Sequence, residues 1–322
     1  MFALALVTTV LGSTPTSIAL PALTLQDQAA PETRPVDVAP AGLGQDPSAG
    51  FDTSLSFDVG YTWQFQSKLK DQNQGQVSHG RAHTDGKFRL GLTDTLDLTM
   101  GWRYQFDQWN FKDTIQVWQD INTVQFNLGL RWRLNDNWIV FGGGQVMWSV
   151  ENGGNWSDSV IGGGAAGFSY AFSRDLIIGA GLGVRSQLED DALLYPIIVL
   201  DWQITDRLSL DTRLETGWAN QSGAELVYEL TEEFDVGLAV VFDYERFRLD
   251  DSGVLPGGVG TTETLPLMFY LTWEPLPETS ITGYIGATVY GRIKATNSAS
   301  QDVYASTYDP TPVIGLQGSI RF

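Results

Sequence analysis

The residues able to do chemistry are few in kind. Histidine occurs twice, His79 and His83, in the run Ser78-His79-Gly80-Arg81-Ala82-His83, and cysteine is absent. Without cysteine there is no disulfide framework and no thiolate metal site. Hydrolase and acyltransferase chemistries usually need a histidine base. Ser78 beside His79 does not supply one, because adjacent residues in a chain do not make a dyad. Two histidines four apart share a face, and hence a metal, only on a helix. The expectation is a pair of solvated loop histidines, in the first outer loop or at the top of the second strand, with no catalytic residue, metal or cofactor. Gly142-Gly143-Gly144 is not a phosphate loop, since no helix with a lysine follows it.

The charged residues form a second set. Lys87, Arg89, Arg103, Arg131 and Arg133 make a basic group; Asp201, Asp211, Glu215, Glu225, Glu229, Asp235, Asp243 and Glu245 make an acidic one. The net charge is −19. That argues against binding nucleic acid through its phosphates and fits solvated loops.

What positions these charges is a period of two that begins at Phe51. Leu55, Phe57, Val59, Tyr61, Trp63 and Phe65 alternate with polar neighbours, as do Leu96, Leu98, Met100, Trp102, Tyr104 and Phe106. Such segments have one wet and one apolar face. They fall at about 53–66, 86–92, 96–107, 122–134, 138–150, 159–172, 176–188, 194–204, 208–219, 224–230, 234–245, 264–274, 280–293 and 312–322. That predicts an all-β chain of fourteen strands, or twelve if 208–219 and 224–230 form no hairpin. Five connections are tight, at 93–95, 135–137, 173–175, 205–207 and 231–233. Long ones alternate with them, at about 67–85, 108–121, 151–158, 189–193, 220–223, 246–263 and 294–311.

Across all the segments the apolar phase holds no Asp, Glu, Lys or Arg. A charge facing lipid at mid-membrane costs about 2–4 kcal/mol for Arg or Lys, so a lipid-facing surface excludes them. A soluble β-sandwich alternates too, but it buries its apolar face and is rarely so rich in Trp. Trp132, Trp138, Tyr170, Trp202 and Trp273 fall near the short turns, and Tyr61, Trp63, Trp102, Tyr104, Trp148, Trp218 and Tyr244 near the long loops. Two aromatic bands match two membrane interfaces.

Residues 1–30 read as a secretory signal, with an apolar run from Phe2 to Leu25 and cleavage after Ala19, Ala22 or Ala30. The basic residues that normally precede such a run are missing, which leaves the start site open. Residues 31–50, with Pro31, Pro35, Pro40 and Pro47, read as a flexible periplasmic linker, and 51–322 as the barrel.

The chain ends Gly318-Ser319-Ile320-Arg321-Phe322. A last strand alternating into a terminal Phe resembles the C-terminal signal of bacterial outer-membrane β-barrel proteins. With the repeated tight turns, the resemblance covers residues 51–322 and is closest to porins and uncharacterised barrels. It implies an up-and-down antiparallel barrel in a bacterial outer membrane, with both termini periplasmic. Its partners would be lipid and the barrel-assembly machinery, which reads Phe322.

Inside such a barrel the basic and acidic groups occupy different arcs. Opposed walls would set a transverse field across an open lumen, as in a porin-like channel for small polar solutes. The alternative is a lumen plugged by paired charges, in a binding or structural barrel whose loops carry the role. An enzyme is a distant third. Inward Gly143, Gly163, Ala165, Gly167, Gly179, Gly181 and Gly183 predict a curved wall or one packed by a loop. Outward Gly142, Gly144, Gly162, Gly164 and Ala166 would let a second subunit pack there, giving a homo-oligomer. Loop aromatics Trp109, Phe111, Trp118, Tyr304 and Tyr308 would bind a ligand or fold inward to narrow the pore.

Overall fold

The computed structural model describes residues 53–70, 75–212 and 222–322. The expected signal and linker lie outside the described residues, as do Glu215 and Trp218. The strands are β1 (Thr53–Lys68), β2 (Gln76–Thr93), β3 (Leu96–Lys112), β4 (Ile121–Arg133), β5 (Trp138–Glu151), β6 (Val160–Ala171), β7 (Leu176–Gln187), β8 (Asp190–Thr205), β9 (Leu208–Asp211), β10 (Ser222–Thr231), β11 (Phe234–Arg248), β12 (Val259–Leu276), β13 (Thr279–Thr296), β14 (Asp302–Tyr308) and β15 (Thr311–Arg321). Each pairs antiparallel with the next from β1 to β13, and β15 pairs with both β13 and β1. β14 pairs with the other half of β13. Together β14 and β15 are one barrel strand, interrupted at Asp309 and Pro310. The ring therefore closes with fourteen strands. The twelve-strand alternative falls, because β9 pairs with both β8 and β10.

Local chemistry sets the tight turns. The first turn residue is Thr, Ser or Asn, and its side chain accepts from a main-chain N–H two or three residues on: Leu96 to Thr93 at 3.0 Å, Trp138 to Asn135 at 3.0 Å, Asp175 to Ser173 at 3.2 Å and Leu208 to Thr205 at 3.1 Å. These side chains stand in for a main-chain turn bond.

The apolar phase points outward. Val59, Leu182, Leu194, Ile198 and Ile285 are each at least 60% exposed, an arrangement stable against hydrocarbon and costly in water. Aromatic pairs line this face, among them Phe57 with Trp102 at 5.5 Å and Trp138 with Tyr170 at 4.8 Å. Beyond Leu265 and Tyr290, towards the long loops, Glu263 and Arg292 form an ion pair at 3.8 Å.

Several expectations need correction. β2 begins at Gln76, ten positions before the expected start, so 76–85 is strand rather than loop. Its outward positions there are Gly80, Ala82 and Thr84, which show no apolar alternation. Neighbouring rings supply the apolar cover instead: Tyr61 and Trp63 lie over Gly80, and Trp102 lies over Gly86. Any Cβ at either position would strike those rings, so glycine is required. β3 likewise runs on to Lys112, which leaves Trp102 near mid-strand instead of at the long-loop end. The connection expected at 294–311 contains β14.

The glycine arc is a matter of curvature. A Cβ at Gly143, Gly163, Gly167 or Gly181 would press on a carbonyl of the adjacent strand, at Leu128, Val184, Ala180 or Ala166. Strands approach this closely only without side chains.

The upper half of β11 departs from simple barrel geometry. Among the described residues, β10 pairs with β11 as far as Phe242. Beyond that point β11 leans across the mouth, and Arg248 forms a parallel bridge with Val150 of β5, a strand far around the ring. Tyr244, expected on the lipid face, instead donates its hydroxyl to Gln187 of β7 at 2.7 Å.

Candidate functional site

The early start of β2 places His79, Arg81, His83 and Asp85 on the inner wall. Arg81, outside the basic group expected from the sequence, is the centre of the arrangement. Its guanidinium pairs with Asp107 of β3 at 2.7 Å, and with Asp243 at 2.9 Å and Glu245 at 2.7 Å, both on the leaning part of β11. Gln105 donates to Asp107 and to Glu245, each at 2.7 Å. His79 Nε2 lies 2.7 Å from Asp107, and its ring stacks on Trp109 at 4.1 Å. These contacts join β2 and β3 to β11 through the lumen. Isolated buried charges are costly, so a set this deep must pair internally. His79 and His83 are not loop histidines: both sit in the strand, about 13 Å apart at strand spacing.

Above this brace apolar side chains pack together across part of the mouth. Trp118, in the connection between β3 and β4, is 1% exposed. It meets Phe247 edge-on at 5.1 Å, Phe111 at 5.5 Å and Trp109 at 5.7 Å. Leu69, Val77, Ile121, Leu249, Ile293 and Tyr308 complete the cluster. So the loop aromatics fold inward rather than displaying themselves. Glu151 anchors the lid by accepting from the main-chain N–H of Gln119 at 2.7 Å and of Asp250 at 2.8 Å. Burial pushes its carboxyl pKa up, and those two N–H donors oppose the shift. Beside the brace lies a cavity of about 10 Å³, lined in part by Thr62, Gln64, Asp243 and Thr264. That is the size of one water.

The other face of leaning β11 meets the β7–β8 hairpin. Arg246 pairs with Asp190 at 2.9 Å, and Arg248 with Glu189 at 2.9 Å. Arg185 packs over the Tyr244 ring at 5.5 Å.

The short-turn half of the lumen is wetter. Inward Lys87 and Asn127 are exposed, as is Gly143 between the side chains. Arg103 pairs with Asp85, Arg89 with Asp97 at 3.0 Å and Arg131 with Asp97 at 3.6 Å. Arg89, Arg103 and Arg131 thus find carboxylates on their own arc, while Arg133 is half-buried. On the acidic arc, Asp201, Asp211 and Glu225 are buried and Glu229 and Asp235 half-buried. Tyr270 donates to Glu225 at 3.1 Å. Asp243 and Glu245 are reached by Arg81 of β2, a strand distant from β11 in the ring order.

Residues 70–253 match the family described as Domain of unknown function (DUF6268). The chain belongs to this family. No curated protein matches it. Among solved structures it is similar in winding to the COG4313 outer membrane channel from Pseudomonas putida F1, at 11% identity and TM-score 0.46, over 89% of this chain and 97% of that one. It is similar also to a FadL homologue of Pseudomonas aeruginosa, at 11% identity and TM-score 0.46, over 83% and 90%. A third is OprB of Pseudomonas putida, at 12% identity and TM-score 0.37, over 85% and 94%.

Proposed function

We propose that this DUF6268 protein is an outer-membrane channel for small polar solutes, narrowed at its long-loop end, with the tight turns and both termini in the periplasm. The observation that carries this is a closed ring with an apolar, ring-studded outer belt and a lumen in which Lys87 and Asn127 stay in contact with water. Such a lumen favours hydrated solutes. The last strand, ending at Phe322, is what the barrel-assembly machinery would engage.

The second reading is a non-conducting barrel that binds a partner through its loops. The buried Trp118 cluster favours it. Single-channel recording in planar bilayers separates the two. The channel reading expects small stepwise currents from the unmodified protein and larger ones from Trp118→Ala. Silence from both proteins, at any voltage, leaves the second reading standing.

A further inference from the structure

The face of β11 turned towards the β7–β8 hairpin carries more positive charge than its surroundings use. Tyr244, Arg246 and Arg248 lie there, opposite Arg185, Gln187, Glu189 and Asp190. Three guanidinium groups meet two carboxylates, in a chain whose net charge is −19. Arg248 is committed: besides Glu189 it donates to the carbonyls of Asp158 at 3.0 Å and Gly257 at 2.8 Å. Arg246 is committed in part. Its Nη1 holds Asp190, but its Nε is buried with no hydrogen-bond partner, in a residue 8% exposed.

Arg185 is the least committed. Among the described residues it faces no carboxylate within ion-pair distance, and its contact is the Tyr244 ring. A guanidinium packed against a ring can keep its edge donors free, and those are the donors that fork onto an oxyanion. The Tyr244 ring is itself held by its hydroxyl bond to Gln187. Across the ladder from Arg185 stands Gly163, which puts no side chain over it.

We propose that Arg185 and Arg246, with Tyr244 between them, bind a small oxyanion, a carboxylate or a phosphate, at the long-loop mouth of the barrel. This rests on the channel reading and deepens it by naming the solute class. The two guanidinium groups supply N–H donors and charge, and Asp190 holds Arg246 in place.

The test uses the full chain in detergent micelles. Inorganic phosphate and, separately, acetate are titrated calorimetrically against sodium chloride at matched ionic strength. Saturable binding is expected in at least one arm, and the arm that responds tells phosphate from carboxylate. Arg185→Gln should weaken it by about tenfold or more, the effect of losing a charged hydrogen-bond donor, and Arg185→Lys by less. Because Arg185 is half-buried and makes no ion pair among the described residues, both variants should keep the heat-shifted gel mobility of a folded barrel. If Arg185→Gln does not fold, Arg185→Lys is compared with the unmodified protein, and equal affinity overturns the site. Absence of saturable binding in both arms, or unchanged binding in a folded Arg185→Gln, also overturns it. Binding without any bilayer current sinks the channel reading and leaves the site; current without binding does the reverse.

Discussion

Removing Arg81 should loosen the barrel and open it at the same time. The side chain is 6% exposed, and its partners Asp107, Asp243 and Glu245 are 1%, 4% and 21% exposed. Arg81→Met keeps much of the stem's volume and deletes the charge, which leaves three carboxylates facing one another. Breaking a buried ion pair from one side costs about 3–5 kcal/mol. Glu245 can still reach water, so the lower end of that range applies. The loss should appear as a lower urea midpoint in micelles, and conductance should rise because β11 loses its tie to β2. A further substitution gives the sharper readout. Asp243→Asn should destabilise the unmodified protein and stabilise the Arg81→Met variant, a reversal that comes only from direct coupling. If the two changes simply add, and conductance stays where it was, the brace does not hold the mouth.

Other outcomes follow from single contacts. Trp118→Ala removes a buried ring from the lid, should cost about 3–5 kcal/mol, and should enlarge the unit conductance in bilayers. Gly167→Ala places a methyl against the Ala180 carbonyl and the Phe141 ring, whereas Gly162→Ala meets nothing within 4 Å. The first should lower thermal stability by about 1–3 kcal/mol and the second leave it unchanged, as scored by heat-shifted gel mobility. Glu151 gives a pH dependence. Its pKa is raised in the folded protein above the ordinary value of about 4.3, so its contribution to stability is full below that value and is lost as pH rises through the raised one. Exchange of the Gln119 and Asp250 amides, corrected for intrinsic rate, should therefore quicken as pH rises from acid to neutral, and Glu151→Gln should flatten the trend.

The outer face was legible because lipid imposes one rule at every position, whatever the neighbouring strand contains. Strand count and tight turns were legible for a related reason: Thr93, Asn135, Ser173 and Thr205 act on bonds two or three residues away. The start of β2 was not, since the apolar cover of Gly80 and Gly86 belongs to Tyr61, Trp63 and Trp102 on other strands. Arg81 went unnoticed as a consequence, although charged and small residues already alternate from Ser78 to Asp85. Its partnership with Asp243 depends on β11 leaning towards β5, a pairing between strands far apart in sequence. The direction of Trp118 is not legible in the sequence, because a loop's direction is set by the cavity beneath it.

The seam where the ring shuts has a bearing on how the protein is made. Leu55 and Phe322 exchange two main-chain bonds, at 3.1 and 2.8 Å, at the bottom of the joint between first and last strands. Until Leu55 and Phe322 have met, the sheet is a ribbon with two raw margins, each able to recruit a stray strand. Closure therefore depends on this joint, and removing Phe322 would leave Leu55 with an unmated N–H and C=O at the seam.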